Sequence, residues 1–309
     1  MRERSKRVVV PGNHDGVHLG HRALLGQARA RAQADGWEVA ALTFDPHPLA
    51  VLAPERAPVP LTMIGRRCDL LRQAGADLAL IERFDSTYAA QSASQWVEQV
   101  LVGQHRAGAV VVGPDFRFGA GRAGDLQRLR EIGGPVGLEV LVAEAVLVDG
   151  ERASSTRVRR LVAAGDVEAA RALLGRPHEV EGTVVHGHHR GRTLGFPTAN
   201  LDPDPVLAPA DGVYAVLARV LDDAGATTCM LGVANLGTRP TFAAGRSLEV
   251  HLLEVDRDLY GRRLRVGFVA RLRGEQKFDG IEALGAQIRL DAAAARARLS
   301  REGTLDVLL

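Results

Sequence analysis

The sequence predicts an α/β domain with an open parallel sheet, followed by a small antiparallel β-barrel and a C-terminal helix. Three observations lead to this fold class. Up to residue 174, short apolar strands alternate with helical segments, which is typical of a parallel sheet. A glycine-rich turn at residues 12–21 joins the first strand to the first helix. From Glu179 onward, five strand-like segments follow one another between Gly-, Pro-, Asp- and Arg-rich turns.

The predicted elements follow from hydrophobic periodicity and from glycine and proline breaks. In the first domain, strands are predicted over residues 8–10, 38–43, 78–81, 109–112 and 138–145. Helices are predicted over residues 22–35, 66–73, 92–102, 154–164 and 166–174. In the second domain, strands are predicted over residues 180–185, 212–221, 228–236, 248–255 and 264–272, and a helix over roughly 280–300. The boundary divides the chain into residues 1–176 and 177–309.

The composition narrows the class of partner. Aromatic residues make up only 4% of the 309 residues, so the two cores must depend on aliphatic side chains. The net charge of +2 gives no indication of a nucleic-acid surface, and no segment approaches the roughly 18 apolar residues of a membrane span. Cys68 and Cys229 are far apart, which predicts reduced thiols in a cytoplasmic protein. We expect small-molecule substrates, and the sequence does not indicate the oligomeric state.

The turn at residues 12–21 has the composition of a phosphate-binding site. Gly12 and Gly16 allow the backbone to approach an anion, and the next helix directs its free N–H groups and positive end toward it. His18 and His21 share a face of the first helical turn, beside the same charge. We therefore predict phosphate binding by Gly12, Asp15 and Gly16, and catalysis by His18 and His21. A tight turn with exposed or capping histidines is the alternative.

Two loops follow predicted strands at the edge where open parallel sheets bind ligands. The loop at residues 44–48 is stiffened by two prolines and offers polar contacts through Asp45 and His47. The loop at residues 113–125 contains four glycines directly after a buried strand. The second loop indicates a site rather than a linker, whereas a rigid turn with a capping aspartate would also explain the first.

A second candidate anion site opens a later helix, where residues 154–159 read Ser-Ser-Thr-Arg-Val-Arg. Hydroxyls at Ser155 and Thr156 would satisfy free N–H groups of the helix start, and Arg157 adds positive charge. Helix capping alone would explain the hydroxyls. Combined with the His-x-Gly-His pattern upstream, the motif resembles the nucleotidyltransferase superfamily. In that superfamily the histidines attend the α-phosphate of ATP, and the second motif holds the outgoing pyrophosphate.

Residues 187–200 form the most informative segment of the second half. Thr198 and Asn200 present oxygen ligands on the same side of an extended chain. Such neutral oxygens suit Mg²⁺, which keeps most of its water and bridges ATP phosphates. An ordinary turn with an Asx cap is the alternative. The preceding residues provide a flexible, positively charged cover for phosphates: Gly187, Arg190, Gly191, Arg192 and Gly195.

Glu249 lies in a predicted strand between apolar neighbours. Alternation places Glu249 and His251 on one face and Leu248 and Val250 on the other. A carboxylate on the inner face of a barrel is costly to bury unless it has a partner or a task. We therefore predict that Glu249 is a general base that acts on a hydroxyl. A solvated glutamate on an edge strand is the alternative.

Together these motifs resemble the bacterial bifunctional riboflavin kinase/FAD synthetases, and the resemblance covers nearly the whole chain. The first half matches in GxxDGVHLGH, TFDPHP, GPDFRFGAGRAGD and SSTRVR. The second half matches, in the family's order, in LGFPTAN, DGVY, GVANLGTRPTF, LEVHLLEVDRDLYG and RGEQKF. Several of these motifs are long and contiguous, so chance agreement is remote.

The resemblance implies a Rossmann-like nucleotidyltransferase domain and a riboflavin kinase barrel. The barrel would phosphorylate riboflavin to FMN with ATP, with Mg²⁺ on Thr198 and Asn200 and with Glu249 as the base. The first domain would then join FMN to the AMP part of a second ATP, giving FAD and pyrophosphate. Charge in that reaction would be stabilised by His18, His21, Ser155, Thr156 and Arg157. Nucleotide and flavin would be seated by Phe44, His47, Asp115 and Phe116.

One position departs from the family pattern. The family reads Gly-x-Phe-Asp-Gly-Val-His in the first motif, whereas this chain has His14 at the aromatic position. A histidine that serves as a planar ring would be tolerated, and one that disturbs ATP would weaken adenylylation. Two alternatives to the bifunctional enzyme therefore stay open. They are a riboflavin kinase with an impaired transferase domain and a non-catalytic regulator that binds flavin or nucleotide.

Overall fold

The computed structural model describes residues 6–186, 196–221, 229–238, 246–255 and 257–301. The chain divides into two compact units, Met1–Val59 with Met63–Ser154 and Pro60–Thr62 with Ser155–Leu309. The helices within residues 155–174 group with the second unit, whereas the sequence analysis assigned them to the first domain. The boundary at residues 176/177 stays a prediction.

The first unit is built on a five-stranded sheet. Its strands are β1 (Arg7–Pro11), β2 (Glu38–Asp45), β3 (Leu78–Arg83), β4 (Ala107–Val112) and β5 (Glu139–Val142). They pair in parallel in the order β3-β2-β1-β4-β5, so the predicted parallel sheet is confirmed. Because the strand order reverses between β1 and β4, the loops after these two strands flank the crevice in which such sheets bind ligands.

Helices cover both faces of this sheet. They are α1 (Leu19–Asp35), α2 (Ile64–Gln73), a π-helix (Trp96–Gln104) and α3 (Leu126–Gly133). Val8 and Val10 of β1 pack with α1 and α2, while Val9 points to the other face and packs with the π-helix and α3. A strand covered on both faces is apolar at every position, which is why β1 reads as a continuous run of valines.

Helix α3 was not predicted from the sequence. It begins after Asp125, whose side chain accepts a hydrogen bond from the backbone N–H of Arg128, and its buried side chains include Leu129 and Ile132. The remaining strands form a hairpin of β6 (Leu147–Val148) and β7 (Glu151–Arg152). Short helical turns lie at Pro48–Leu52, Pro54–Arg56, Ser86–Ala89, Ala93–Gln95, Ala120–Arg122 and Gly134–Val136.

The second unit contains a closed antiparallel barrel. Its strands are β8 (His178–Val185), β9 (Ala199–Pro203), β10 (Gly212–Val220), β11 (Met230–Thr238), β12 (Arg246–Leu252) and β13 (Arg263–Arg273). They close in the order β10-β11-β12-β9-β8-β13, which confirms the predicted small barrel. Only five strands were predicted. The sixth, β9, follows Thr198 and pairs with both β8 and β12.

Three helices accompany the barrel: α4 (Ser155–Ala164), α5 (Val167–Leu174) and α6 (Ile281–Arg301). Val167 of α5 is fully buried in the core cluster of the barrel. Helix α6 packs against β10, β11 and β13, where Ala295 and Leu299 contact a second buried cluster that contains Leu217. The predicted C-terminal helix is therefore confirmed.

Two aromatic rings occupy the barrel core. Tyr214 on β10 and Phe268 on β13 are fully buried, and their rings meet edge to face with centroids 5.4 Å apart. The Tyr214 hydroxyl donates to the carbonyl of Ala210 at 2.6 Å. Aliphatic side chains from all six strands complete the core; they include Val180, Leu201, Val216, Ala234, Val250 and Val266.

Replacing Phe268 tests this core. Phe268→Ala should lower the free energy of unfolding by about 3–5 kcal/mol, because a fully buried ring is removed and a cavity is left. Urea unfolding followed by circular dichroism measures the change. Ile281→Ala, at a side chain that is 69% exposed, is the control and should stay within about 0.5 kcal/mol of the unaltered chain. Equal stability of the two variants would contradict the assigned core.

Candidate functional site

The loop after β1 has an unusual backbone. The φ angles of His14, Gly16 and Val17 are 49°, 80° and 42°, all in the left-handed region. A Cβ atom on Gly12 would lie 3.0 Å from Cε1 of the His14 ring, so a larger residue there would displace the ring. Gly12 and Gly16 are therefore required by the path of the loop itself. Their contact with a phosphate stays a prediction.

His18 and His21, the predicted catalytic pair, lie together at the start of α1. The two rings stack with centroids 3.7 Å apart and an interplanar angle of 24°. Nδ1 of His18 accepts a hydrogen bond from the backbone N–H of Gly20 at 3.1 Å, so His18 is the N-cap of α1. His18 therefore both caps α1 and stacks on His21, next to the positive end of the helix.

His21 is neutral near pH 7. Burial lowers the pKa of His21 well below its ordinary value, and electrostatic interactions with His18, His14 and Arg67 lower it further. Its Nδ1 atom is buried and has no hydrogen-bond partner in the described part of the chain. A neutral imidazole at a helix N-terminus can offer a hydrogen bond to a phosphate oxygen without bringing its own charge.

His14 is also buried and neutral. It is 1% exposed, and its Nε2 donates to the carbonyl of Val10 at 2.9 Å, which leaves Nδ1 unprotonated. The ring meets the edge of His21 with centroids 5.0 Å apart. Burial lowers the pKa of His14 to about 4. The histidine at the aromatic position therefore packs as a flat, uncharged ring.

Asp15 connects the loop after β1 to α2. It is 1% exposed, and its Oδ1 lies 3.4 Å from Nη2 of Arg67 on α2. Nη1 of the same guanidinium lies 3.5 Å from the hydroxyl of Thr43, which donates to the carbonyl of Asn13 at 2.9 Å. Arg67 was not predicted from the sequence. An arginine on the apolar face of an amphipathic helix was the available signal.

The C-terminal end of β2 and the loop after β4 are connected through aromatic rings. Phe44 contacts Tyr88 with ring centroids 5.8 Å apart, and the Tyr88 oxygen accepts from Nε1 of Trp96 at 2.9 Å. Trp96 in turn contacts Phe116 at 6.0 Å. Two of the predicted flavin-binding rings, Phe44 and Phe116, thus belong to one aromatic chain. Its members Tyr88 and Trp96 were not predicted.

The polar members of these loops have different environments. His47 caps the short helix after it by accepting from the N–H of Leu49 at 3.1 Å, and its Nε2 lies 3.1 Å from the side-chain amide of Asn13. Asp115 is exposed and forms an ion pair with Arg152. Residues 114–117 line a shallow depression of about 410 Å³ with residues of the 122–127 segment.

The predicted pyrophosphate motif lies at the start of α4. Ser155, Thr156 and Arg157 are its first three residues. Thr156 is exposed, and Ser155 and Arg157 are half-buried. This helix groups with the barrel unit rather than with the parallel sheet. The motif therefore occupies the predicted place, the first turn of a helix.

In the barrel unit, three polar side chains lie in one row across adjacent strands. Glu249 on β12 is the register partner of Asn200 on β9 and of Asn235 on β11. Directly opposed residues in such a ladder have neighbouring side chains on the same face. The predicted base and one predicted magnesium ligand are thus brought together. Asn235 belongs to a motif noted in the sequence, but its role was not predicted.

Glu249 does not face the barrel interior, contrary to the expectation from the sequence. Leu248, Val250 and Leu252 are the buried side chains of β12, and they belong to the barrel core. Glu249 is half-buried on the outer face, where it lines a cavity of about 640 Å³ together with Asn235 and residues of α6. The periodicity was assigned correctly, but the face toward the core was chosen wrongly.

Two cavities meet at Thr198. It lines the 640 Å³ cavity with Glu249 and also a second cavity of about 440 Å³, which contains Asn200 and Tyr260. Both volumes are in the range of small-molecule sites. All five residues of the predicted phosphate cover lie outside the described residues: Gly187, Arg190, Gly191, Arg192 and Gly195.

Polar contacts that the sequence analysis missed shape the larger cavity. Asp291 of α6 is 5% exposed and accepts from Nε and Nη2 of Arg273 at 3.1 and 2.8 Å. Arg273 also lies over the ring of Phe278 at 5.5 Å. Nδ1 of His251 donates a hydrogen bond to the carbonyl oxygen of Pro197 at 2.8 Å. Arg273 and Asp291 are 18 positions apart and His251 and Pro197 are 54 apart, so no local pattern reveals these two hydrogen-bonded contacts.

Comparison with known proteins connects both units to enzymes. Family models described as FAD synthetase and riboflavin kinase match residues 1–157 and 174–299. The bifunctional riboflavin kinase/FMN adenylyltransferase of Escherichia coli (strain K12) is 41% identical over 290 residues, which cover 94% of this chain and 91% of the relative. The protein of the same description from Bacillus subtilis (strain 168) is 35% identical, with 95% and 92% covered.

A solved structure shares the fold over the same extent. A crystal structure from Streptococcus pneumoniae, described as a macrolide-efflux protein, aligns with a TM-score of 0.84. It is 30% identical in sequence, and the alignment covers 94% of this chain and 94% of that chain. The similarity to known proteins therefore extends through both units in sequence and in structure.

The buried His14 ring predicts a change in the pH dependence of stability. The unfolded ring takes up a proton near pH 6.5 and the folded ring near pH 4, so stability is lost as pH falls between these values. Between pH 7 and pH 5 this loss amounts to about 2 kcal/mol. His14→Phe removes the titrating group and should reduce the acid-side loss by that amount. Urea unfolding at several pH values measures it.

A second histidine provides the control for this measurement. His186→Phe, at an exposed ring in the other unit, should leave the pH profile of stability nearly parallel to that of the unaltered chain. The reason is that this substitution leaves the buried histidine cluster at the start of α1 unaltered. If His14→Phe also gives a parallel profile, the His14 ring is not buried as described.

Proposed function

The chain belongs to the family of bifunctional riboflavin kinase/FMN adenylyltransferases, and we propose which residues carry its two reactions. Residues 174–299 phosphorylate riboflavin with ATP to give FMN. Residues 1–157 adenylylate FMN with a second ATP to give FAD and pyrophosphate. The observation that carries the kinase assignment is the row of Asn200, Glu249 and Asn235 across three adjacent strands. Glu249 and Asn235 of this row line a cavity large enough for a flavin.

Glu249 is the proposed general base of the kinase reaction. The attacking group is a primary hydroxyl, which needs its proton removed as it attacks the γ-phosphate. Glu249 and Thr198 both line the larger cavity, and Thr198 also lines the smaller one. We assign riboflavin to the larger cavity and ATP to the smaller one. In this arrangement the hydroxyl and the γ-phosphate approach each other next to Thr198.

Thr198 and Asn200 are the proposed ligands of Mg²⁺. Their hydroxyl and amide oxygens are hard, neutral donors of the kind that this ion accepts while keeping most of its water. Both residues line the smaller cavity, which is assigned to the ATP phosphates. When bound, Mg²⁺ neutralises phosphate charge. The side chains themselves position the phosphates with respect to Glu249, the register partner of Asn200.

Adenylyl transfer requires no protein nucleophile. The phosphate of FMN is already an anion, so the protein must orient it and stabilise the charge that develops on the α-phosphate of ATP. Neutral His21 and the His18 ring stacked on it, at the N-terminus of α1, are suited to that task. By resemblance, Ser155, Thr156 and Arg157 hold the outgoing pyrophosphate. Gly12, Asp15 and Gly16 are assigned to the ATP phosphates.

The environment of His14 supports the bifunctional enzyme over a kinase with an impaired second half. The ring is flat, buried and neutral, which are the properties that a phenylalanine has at this position in the family. A non-catalytic regulator would need neither Glu249 nor the pair of Thr198 and Asn200. Flavin is proposed to contact Phe44, His47, Asp115 and Phe116 in the adenylyltransferase half.

The proposed partners are small molecules: riboflavin, FMN and ATP. No helix among the described residues is long and apolar enough to cross a membrane. Cys68 and Cys229 are both free thiols in the structure. Free thiols are usual in a reducing compartment, which supports our proposal of a cytoplasmic location.

Replacing Glu249 tests the kinase assignment. Glu249→Gln should lower the rate of FMN formation by about 10²–10⁴-fold, because the amide cannot take the proton of the hydroxyl. FAD formation from supplied FMN should continue, and riboflavin should still bind. Chromatographic separation of riboflavin, FMN and FAD after incubation with ATP and Mg²⁺ measures both steps. Glu254→Gln, at an exposed glutamate paired with Arg296, should change neither. Unchanged FMN formation in Glu249→Gln would refute the base assignment.

Replacing His21 tests the adenylyltransferase assignment. His21→Ala should lower FAD formation from FMN and ATP by about 10²–10³-fold through a loss of kcat, because a donor to developing charge is removed. FMN formation should be retained. His105→Ala is the matched control, since His105 is another buried histidine of the same unit, paired with Glu82. Equal losses in the two variants would point to general destabilisation instead.

A further inference from the structure

Helix α4 is anchored at its C-terminal end to the barrel. Arg271 on β13 extends its guanidinium to the carbonyl of Ala164, the last residue of α4, at 3.5 Å, and to the carbonyl of Asp211 at 2.8 Å. A positive charge at a helix C-terminus meets free carbonyl groups and the negative end of the helix dipole. One arginine therefore ties α4 to the segment that leads into β10.

The residue after α4, Gly165, allows the helix end to lie close to Arg271. Gly165 has φ of 78°, and a Cβ atom there would lie 2.8 Å from the hydroxyl of Tyr214 and 3.1 Å from Nη1 of Arg271. Tyr214 is itself buried, and the Arg271 guanidinium lies 5.9 Å from its ring. Only a glycine allows the end of α4 to approach the barrel so closely.

Helix α5 also contacts Arg271. Glu168 of α5 accepts a hydrogen bond from the backbone N–H of Arg271 at 3.3 Å. Val167, beside it, is buried in the barrel core. Helices α4 and α5 pack against each other, so the position of α4 is set by contacts with β13 and with the core.

We infer that Arg271 is a positioning residue for adenylyl transfer, although it belongs to the kinase barrel. It holds the helix whose first turn carries Ser155, Thr156 and Arg157, and the inference rests on the proposed pyrophosphate role of those residues. A helix of ten residues transmits a displacement of its last turn to its first, because the backbone hydrogen bonds make it rigid. Small misplacements of charge-stabilising groups are costly in catalysis.

The test compares two arginines of the same strand. Arg271→Met should lower kcat for FAD formation from FMN and ATP about tenfold, with little change in KM for FMN, because the leaving group rather than FMN loses its support. Riboflavin phosphorylation should be unchanged. Arg263→Met is the matched control, because Arg263 also lies on β13 but pairs with Asp204 and Glu181. It should leave both reactions unchanged.

Hydrogen exchange provides a readout that does not depend on activity. In Arg271→Met, the amides of residues 155–164 should exchange several-fold faster, while those of β11 and β12 keep their rates. Arg271→Lys, which keeps the charge but loses the fork that reaches two carbonyls, should recover part of the adenylyl transfer rate. Gly165→Ala disturbs the joint from the helix side and should reproduce the selective loss.

The outcomes separate this inference from the function on which it rests. If Arg157→Ala slows FAD formation strongly while Arg271→Met and Gly165→Ala do not, the inference is wrong and the pyrophosphate assignment stands. If Arg157→Ala has no effect, the pyrophosphate assignment fails and the inference with it. If Arg271→Met slows both reactions equally, or leaves exchange in α4 unchanged, Arg271 stabilises the barrel only and the inference is overturned.

Discussion

Two-residue alternation along the strands is the constraint on which both units depend. In β1, Val8 and Val10 pack on one face and Val9 on the other, so two helical layers are held by one strand. In β12, Val250 and its neighbours fill the barrel while Glu249 faces the cavity beside α6. A shift of one residue would bury the carboxylate and expose the core. The register that stabilises the barrel therefore also positions its proposed base.

The first unit keeps two neighbouring histidines, His14 and His21, neutral near the start of α1. Three imidazoles and Arg67 lie close together in a buried loop, and charged rings would repel one another there. Burial lowers the pKa of His14 and of His21, so these two rings carry no charge, and the positive end of α1 attracts an anion. His14 fits this arrangement because its one protonated nitrogen is used by the Val10 carbonyl. A phenylalanine would satisfy the same packing without a hydrogen bond.

Local sequence signals predicted most of the fold and part of the candidate site. Strand and helix periodicity identified the parallel sheet, five of the six barrel strands and the closing helix, because these patterns depend only on neighbouring residues. Helix α3 was missed because it directly follows a glycine-rich loop that was taken as a single site. Strand β9 was missed because it is short and was interpreted only as a ligand segment.

The side chains around each site were harder to predict. Arg67 reaches Asp15 across 52 positions, and Arg273 reaches Asp291 across 18. Such partners are chosen by the packing of distant elements and leave no local pattern. The same reason explains the wrong face chosen for Glu249. The alternation along β12 shows which side chains share a face, but the elements packed against the strand decide which face is the core.

The sequence by itself determined the fold class, the order of the motifs and the chemical types of the candidate residues. These depend on periodicity, on glycine and proline, and on side-chain chemistry, all of which are local properties. Only the tertiary structure decided that His18 and His21 stack, that Glu249 stands opposite Asn200 outside the barrel core, and that α4 is anchored by a barrel arginine. Those relations arise from burial and register, which bring together residues that the chain keeps far apart.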